Sequence, residues 1–237
     1  MTTTIYNRES FLDSLTTKLG RDLITDDVER PPLPHDCHHQ VMSALTQQEL
    51  ADVLLDYTKN QLASLAVSCT KAELFQALAS ICSGYDAGKI VLSGDPRLAE
   101  LQVNQQLSLQ FDDVYTWDPD QAGSVNIKQA EQAKVGIVFA ELALAESGTI
   151  VLHSAASCGR SVSLLPEVSV FIVPQSQIVP RLTQATTRLH KMAQAGDRLP
   201  SCVNFVSGPS STADIELIKV VGVHGPLHAA YVIISDM

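Results

Sequence analysis

The chain has 237 residues, 45% of them hydrophobic and 18% charged, and its formal net charge is −10. This composition is typical of a folded globular protein that buries a sizeable core without disulfides or structural metal, and its acidity argues against nucleic acid as a partner. No apolar run approaches the ~20 residues that span a bilayer, and the N-terminus lacks the features of a signal peptide, so we expect a cytoplasmic protein.

The first 43 residues are predicted to lie outside the main domain. Apolar residues recur at helical spacing within residues 5–20. Residues 21–43 are polar and contain three prolines, which is typical of a linker or an extended arm. We therefore divide the chain into an N-terminal helix with a proline-containing arm, residues 1–43, and a domain of residues 44–237.

Helix and strand signals alternate from residue 44 to residue 141. Thr46 with Glu49 and Thr70 with Glu73 have the spacing of capping boxes, which predicts a helix start at each threonine. This alternation predicts an α/β fold with a mostly parallel sheet covered by helices on both faces. The predicted strands are 66–69, 89–93 and 135–140, an extended segment is predicted at 108–117, and helices are predicted after residue 95 and over 125–134.

The second half begins with a predicted hairpin. Its strands, residues 142–146 and 149–154, flank Ser147 and Gly148, and the glycine can supply the positive φ that a two-residue turn requires. Further strands are predicted at 168–173, 202–207 and 229–235, and a helix at 179–195.

Glu146 is the first candidate for chemistry. It stands beside the turn at the end of a predicted strand, where a carboxylate can face a cleft, and Ser147 and Thr149 could bind a ligand with it. The alternative is a turn residue exposed to water, which composition alone favours.

A polar segment, Ser-Gly-Pro-Ser-Ser-Thr-Ala-Asp-Ile-Glu at residues 207–216, directly follows an apolar strand. Its glycine and proline predict a turn, and its hydroxyls then stand where a helical turn would begin. Hydroxyls and unpaired N–H groups at such a position suit a phosphate or a carboxylate, although they also suit a capped polar turn. The segment is not a Walker loop, and no GxGxxG follows a strand. Its candidate ligand-binding residues are Gly208, Ser210, Ser211, Thr212 and Asp214, and its candidate catalytic acid is Glu216.

Three further features carry side chains that could do chemistry. His224 precedes a Gly-Pro turn and is a candidate general acid or base, although an isolated histidine is more often structural. Arg160 follows the hairpin and could bind an anionic ligand, although it could equally be a surface arginine. Residues 35–39, His-Asp-Cys-His-His, could ligate a metal, but neighbouring side chains of an extended chain point in opposite directions. We therefore predict no designed metal site.

The cysteines also bear on cofactors. No two of them have the CxxC or CxxxC spacing of an iron–sulfur site, a thioredoxin-type motif or a zinc ribbon. We therefore predict that this chain holds no cofactor of its own. The five cysteines are Cys37, Cys69, Cys82, Cys158 and Cys202.

Five stretches, in this order, carry a resemblance to one family. They are Ala-Glu-Ser-Gly-Thr at 145–149, Leu-Leu-Pro at 164–166, Ile-Val-Pro at 178–180, Gly-Pro-Ser-Ser-Thr-Ala-Asp-Ile-Glu at 208–216 and Gly-Val-His-Gly-Pro at 222–226. Together they resemble the LUD domain, and most closely the lactate utilization protein C (LutC/YkgG) family. The resemblance covers most of the chain and is densest from about residue 135 to residue 235.

The resemblance implies a three-layer α/β fold similar to those of ribose-5-phosphate isomerases and CoA transferases. It also implies a role in oxidising L-lactate to pyruvate together with iron–sulfur partner proteins. A larger sibling subunit carries the same domain plus cysteine clusters, and this chain lacks such clusters. The resemblance therefore implies a non-iron–sulfur, non-redox subunit of a lactate-oxidising complex.

Residues and resemblance together predict one site. We expect its residues to line a single cleft at the ends of the sheet strands, where open α/β sheets bind ligands. The hydroxyls would hold the anionic end of a 2-hydroxy acid or a phosphate, and Glu146 or His224 would handle a proton. The predicted lining is Glu146, Ser210, Thr212, Asp214, Glu216 and His224.

Two other functions stay open at this point. A free-standing enzyme acting on a sugar phosphate or a CoA thioester is suggested by fold analogy alone, and it predicts turnover in isolation. A binding module that senses an anionic metabolite predicts stabilisation by the ligand without turnover.

Overall fold

The structure is a computed structural model that describes residues 6–22, 29, 31–214 and 217–237. The chain divides into two units, Met1–Asp36 and Cys37–Met237. In the first unit, helix α1 (Arg8–Leu19) forms where the sequence predicts a helix and buries none of its residues.

The second unit contains most of the regular structure. Its helices are α2 (Cys37–Gln40), α3 (Gln47–Asn60), α4 (Leu74–Gly84), α5 (Pro96–Glu100), α6 (Val103–Leu107), α7 (Gly123–Glu131), α8 (Ser161–Leu164) and α9 (Leu182–Ala195). Its strands are β1 (Leu65–Cys69), β2 (Lys89–Leu92), β3 (Asp113–Thr116), β4 (Val135–Phe139), β5 (Leu142–Leu144), β6 (Thr149–His153), β7 (Val168–Pro174), β8 (Ile178–Val179), β9 (Val203–Ser207), β10 (Ser211–Thr212), β11 (Val220–Val221) and β12 (His228–Ile234).

Both predicted capping boxes are present. The Thr46 hydroxyl accepts from the Glu49 N–H at 3.3 Å, and the Glu49 carboxylate accepts from the Thr46 N–H at 2.7 Å, which satisfies backbone donors at the start of α3. Thr70 and Glu73 form the same motif at the start of a short 3₁₀ turn, Lys71–Glu73, which leads into α4.

The central sheet has six strands in the order β1-β12-β7-β4-β2-β3, and every neighbouring pair is parallel. Its middle strands are buried on both faces, as the unbroken apolar run of β4 predicts. One face packs against α4, α5 and α6, and the other packs against α3, α7, α8 and a second sheet. The predicted α/β fold with a mostly parallel sheet is confirmed.

The second sheet has four strands in the order β8-β5-β6-β9, with α9 packed on its outer side. Strands β5 and β6 are antiparallel, so the predicted hairpin is present. The prediction of a two-residue turn between them is wrong. A 3₁₀ turn of Ala145–Ser147 followed by Gly148 joins the strands. The hairpin opens early because the Glu146 N–H donates to the Pro180 carbonyl at 3.1 Å instead of to its hairpin partner.

The segment after β9 also differs from its prediction. Ser211 and Thr212 form β10, which pairs with β11, and do not begin a helical turn. The Ser210 carbonyl accepts from the Gly222 N–H at 2.7 Å, so this backbone is already bonded across the ribbon. No helix of the described ranges is long and apolar enough to cross a membrane.

One close approach fixes α8 against the sheet. A Cβ atom added at Gly136 would lie 1.9 Å from the Val162 carbonyl oxygen, so the helix backbone rests directly on β4. Only a residue without a side chain permits this contact.

Candidate functional site

A polar cleft opens at the carboxyl ends of β2 and β4. From β2 the chain continues to β3 at one edge of the sheet, and from β4 it passes to β7 on the opposite side. Open α/β sheets bind ligands at such a switch point, because the two connections diverge and leave a crevice. We call this the switch-point cleft, and its polar lining includes Ser93, Asp95, Glu141, His153, Ser154 and Arg160.

The switch-point cleft is narrow. Its volume is about 380 Å³ when the open solvent at its mouth is included, and only about 30 Å³ of it can be reached by the centre of a water-sized sphere. That space holds roughly two water molecules. A second cavity lies beside it, at the carboxyl ends of β2 and β3, and shares Ser93 and Asp95 with it. It is the wider of the two, since about 310 Å³ of it can be reached by the centre of a water-sized sphere.

Arg97 forms ion pairs with the acidic residues that follow β2 and β4. Its guanidinium donates to both carboxylate oxygens of Asp95, at 2.9 and 2.6 Å, and to the Glu141 carboxylate. It also lies 4.4 Å from the centre of the Phe139 ring. Burial by itself would lower the pKa of Arg97, but the hydrogen bonds and charges of Asp95 and Glu141 outweigh it and raise that pKa. The cation is therefore permanent and holds both carboxylates in place.

Two other titratable groups of the cleft are uncharged near neutral pH. Burial lowers the pKa of His153; Arg188 and Arg97 lower it further, while Glu141 opposes them. Burial also raises the pKa of the Cys158 thiol. A neutral imidazole has one ring nitrogen that can accept a proton or a hydrogen bond, so His153 is the candidate base of this cleft.

Two hydroxyls of the cleft lack partners. Ser93 is 3% exposed, and neither its Oγ nor the buried Oγ of Ser154 forms a hydrogen bond with any described residue. Leaving a buried polar group unpaired costs about 1–3 kcal/mol. These hydroxyls therefore favour an occupant, water or a ligand, that can hydrogen-bond.

One wall of the cleft rests on Trp117. Its indole N–H donates to the Ala156 carbonyl at 3.0 Å, and a Cβ atom at Gly159 would lie 2.2 Å from its ring. The Gly94 N–H donates to the Ser157 carbonyl at 2.7 Å. The loop that carries Arg160 is thus bonded to the ends of β2 and β3.

Of the residues predicted from sequence, Arg160 lines the switch-point cleft, but Glu146 does not. The Glu146 carboxylate accepts from the Arg181 Nε at 2.6 Å. Beside it, the Ser147 hydroxyl lies 2.7 Å from that of Thr149, which lies 2.6 Å from the hydroxyl of Ser207. These groups bond one another and join the β5–β6 turn to β9.

The remaining predicted residues that the structure describes lie outside the switch-point cleft. Ser210 donates its N–H to the Pro226 carbonyl at 2.9 Å, and the Asp214 N–H donates to the Thr212 hydroxyl at 3.3 Å. Ser211 is exposed, and Glu216 lies outside the described residues. His224 lines an open cleft of about 580 Å³ at the amino ends of β4, β7 and β12.

The single predicted cleft is therefore not formed as expected. Glu146 and His224 have different surroundings, and the cleft at His224 opens at the amino ends of the strands. Its walls include the Lys134–Glu167 ion pair, at 2.7 Å. The roles assigned to these residues from sequence stay predictions.

Sequence reasoning missed most of the switch-point cleft, although a signal for it existed. Ser93 is the last residue of the predicted strand 89–93, Asp95 follows that strand, and Glu141 follows the predicted strand 135–140. The rule that ligands bind beyond the carboxyl ends of parallel strands points directly to these positions. Ser154, His153 and Asn204 come from the second sheet, which no local pattern places there.

The family model of the LUD domain matches residues 36–234. The chain belongs to the LUD domain family. This LUD protein is 46% identical to YkgG of Escherichia coli, over 97% of this chain and 99% of the relative. It is 41% identical to lactate utilization protein C of Bacillus subtilis, over 98% of both chains. A DUF162 family protein of Deinococcus radiodurans has a similar fold, with a TM-score of 0.59 at 19% identity over 81% of this chain and 99% of that one.

Proposed function

We propose that this LUD protein takes part in L-lactate utilization, as the non-iron–sulfur member of a system that oxidises L-lactate to pyruvate. The observation that carries the proposal is the 41% identity with lactate utilization protein C, which extends over 98% of both chains. The match therefore spans nearly the whole of this chain and of that relative.

The positions of the cysteines support the proposal that other proteins accept the electrons from L-lactate. Oxidation of L-lactate to pyruvate releases two electrons and two protons, and the electrons need an acceptor. Among the described residues, no three cysteines lie together, and Cys69 and Cys82 are buried thiols with raised pKa values. We therefore assign the electrons to iron–sulfur clusters of partner proteins, and to this chain a role in substrate handling or assembly in the cytoplasm.

Growth on L-lactate tests the proposal. A host that lacks its own copy of this gene should fail to grow on L-lactate as sole carbon source and should be rescued by the wild-type chain. Growth on pyruvate is the control, because the proposal places the defect before pyruvate. Normal growth of the deletion strain on L-lactate, or an equal defect on pyruvate, would contradict the proposal.

Variants in the same strain distinguish the sites. Asp95→Asn weakens the hold of Arg97 at the switch-point cleft, and Glu146→Gln breaks the pair with Arg181. Glu100→Gln changes an exposed carboxylate at the end of α5 and serves as the matched control. We expect Asp95→Asn to slow growth on L-lactate at least about 10-fold, which corresponds to a loss of about 1.4 kcal/mol, and Glu100→Gln to have no effect. A growth defect from Glu146→Gln alone would move the functional site to the β5–β6 turn.

A further inference from the structure

The geometry points to the switch-point cleft as a binding site for a small hydroxycarboxylate. The choice of L-lactate as that ligand rests on the proposed function. The site itself rests on three observations: its unpartnered buried hydroxyls, its charges and its width.

The hydroxyls of Ser93 and Ser154 are the first observation. Each lies on the wall of the cleft, is buried, and has no hydrogen-bond partner among the described residues. A hydroxyl can both donate and accept, so the pair suits an oxygen-rich ligand. An apolar ligand would leave both hydroxyls unpaired, which excludes it as the natural occupant.

The charges are the second observation. Arg97 pairs with both Asp95 and Glu141, so these three groups together carry one net negative charge and Arg97 offers no positive charge to a ligand. Arg160, at the exposed rim, forms no ion pair within the described part of the chain. A carboxylate group of the ligand would form an ion pair with the Arg160 guanidinium through charge-assisted hydrogen bonds.

The interior of the cleft suits a hydroxyl group beside that carboxylate. Glu141 and the neutral His153 are both acceptors that line the cleft, and the Asn204 side chain also lines it. A ligand hydroxyl can donate to one of these acceptors and accept from a serine hydroxyl. The arrangement thus complements a molecule with a carboxylate at one end and a hydroxyl close to it.

The width is the third observation. Only about 30 Å³ of the cleft can be reached by the centre of a water-sized sphere, so the site fits a ligand of a few heavy atoms whose entry displaces water. A sugar phosphate or a CoA thioester is too large for that space alone and would also need the adjoining cavity that shares Ser93 and Asp95. The cleft therefore favours a three-carbon hydroxy acid over these larger substrates.

Titration of the purified full chain with L-lactate, followed by calorimetry and saturation-transfer NMR, tests the site. We expect saturable binding that Arg160→Gln weakens about 10-fold or more and Ser93→Ala weakens about 5-fold, since each removes one direct partner. Arg198→Gln and Ser108→Ala, at exposed positions outside the cleft, are the matched controls and should bind as the wild type does. Propionate, which lacks the hydroxyl, should bind about 10-fold more weakly than L-lactate.

The site would be overturned by the absence of saturable L-lactate binding to the folded wild-type chain, or by equal L-lactate binding to wild type and Arg160→Gln. Tighter binding of ribose 5-phosphate than of L-lactate would also overturn it, in favour of a larger substrate. Growth on L-lactate reports separately, so a chain required for growth that binds no L-lactate would remove this site while leaving the proposed function in place. Thermal unfolding of each variant establishes that it is folded.

Discussion

Tyr231 shows how one residue joins three elements. It lies within β12 and is fully buried, with its ring against Phe171 at a centroid distance of 5.3 Å. Its hydroxyl accepts from the Gly208 N–H and donates to the Gly148 carbonyl, each at 2.8 Å. The central sheet is thereby bonded to both the β5–β6 turn and the end of β9, which are two of the stretches that carry the family resemblance.

We predict that Tyr231→Phe lowers the free energy of unfolding by about 1–3 kcal/mol. The phenylalanine keeps the ring packing but leaves one buried N–H and one buried carbonyl without partners. Urea unfolding monitored by circular dichroism measures the change. Tyr6→Phe, at a tyrosine that is 88% exposed, is the control and should leave stability unchanged. A Tyr231→Phe protein as stable as wild type would mean that water replaces the hydroxyl.

At the scale of elements, the contact of α8 with β4 depends on the missing side chain of Gly136. The Val162 carbonyl oxygen occupies the space that a Cβ atom would need. Helix α8 begins directly after Arg160, so this contact also sets the height of one rim of the switch-point cleft.

We predict that Gly136→Ala destabilises the chain by about 2–3 kcal/mol, because backbone must move to relieve the overlap. Gly88→Ala is the matched control: a Cβ atom there meets nothing within 4 Å. It should be neutral or slightly stabilising, since alanine restricts the unfolded chain. Both are measured by urea unfolding, and equal effects of the two substitutions would show that α8 moves freely.

The same scale shows which elements local sequence specifies. The capping boxes at Thr46 and Thr70 were predictable because each motif is complete within four residues. The position of the β5–β6 turn was predictable, but its length was not, because the Glu146 N–H donates to the carbonyl of Pro180, which is distant in sequence. The local sequence predicts that β9 is a strand, but it does not indicate that this strand pairs with β6 in a second sheet.

At the scale of the molecule, the switch-point cleft exists because the strand order of the central sheet places β2 beside β4. The apolar runs of β2 and β4 predict strands, but their adjacency, and the divergence of the chain after them, exist only in the assembled sheet. The polar turns singled out from sequence proved to bond one another, as Thr149 and Ser207 do. A polar turn next to a strand is therefore a weak guide to a site unless the edge of the sheet on which it lies is known.

Two buried cysteine thiols of the core predict that the free energy of unfolding falls at alkaline pH. Burial raises the pKa of Cys82 to about 12 and that of Cys69 to about 11, from an ordinary value of 9.0. Because the folded values lie above the unfolded one, both thiols stabilise the fold fully below pH 9, and their contribution is lost as the pH rises toward the folded values. Each thiol can contribute a slope of up to about 1.4 kcal/mol per pH unit in that window.

We therefore expect the free energy of unfolding, measured in urea with a reductant, to fall between about pH 9 and about pH 11. Cys82→Ala should make that fall shallower, whatever its effect at neutral pH. Cys37→Ala, which changes an exposed thiol, should leave the slope unchanged. If wild type and Cys82→Ala lose stability in parallel, the Cys82 thiol is not protected by the fold.

The packing of Trp117 against Gly159 has a practical consequence. The chain contains one tryptophan, and its ring lies on the loop that forms a wall of the switch-point cleft. All intrinsic indole fluorescence therefore originates beside the candidate site. The unmodified protein carries its own optical reporter there, so movement of that loop can be followed in real time without attaching a dye.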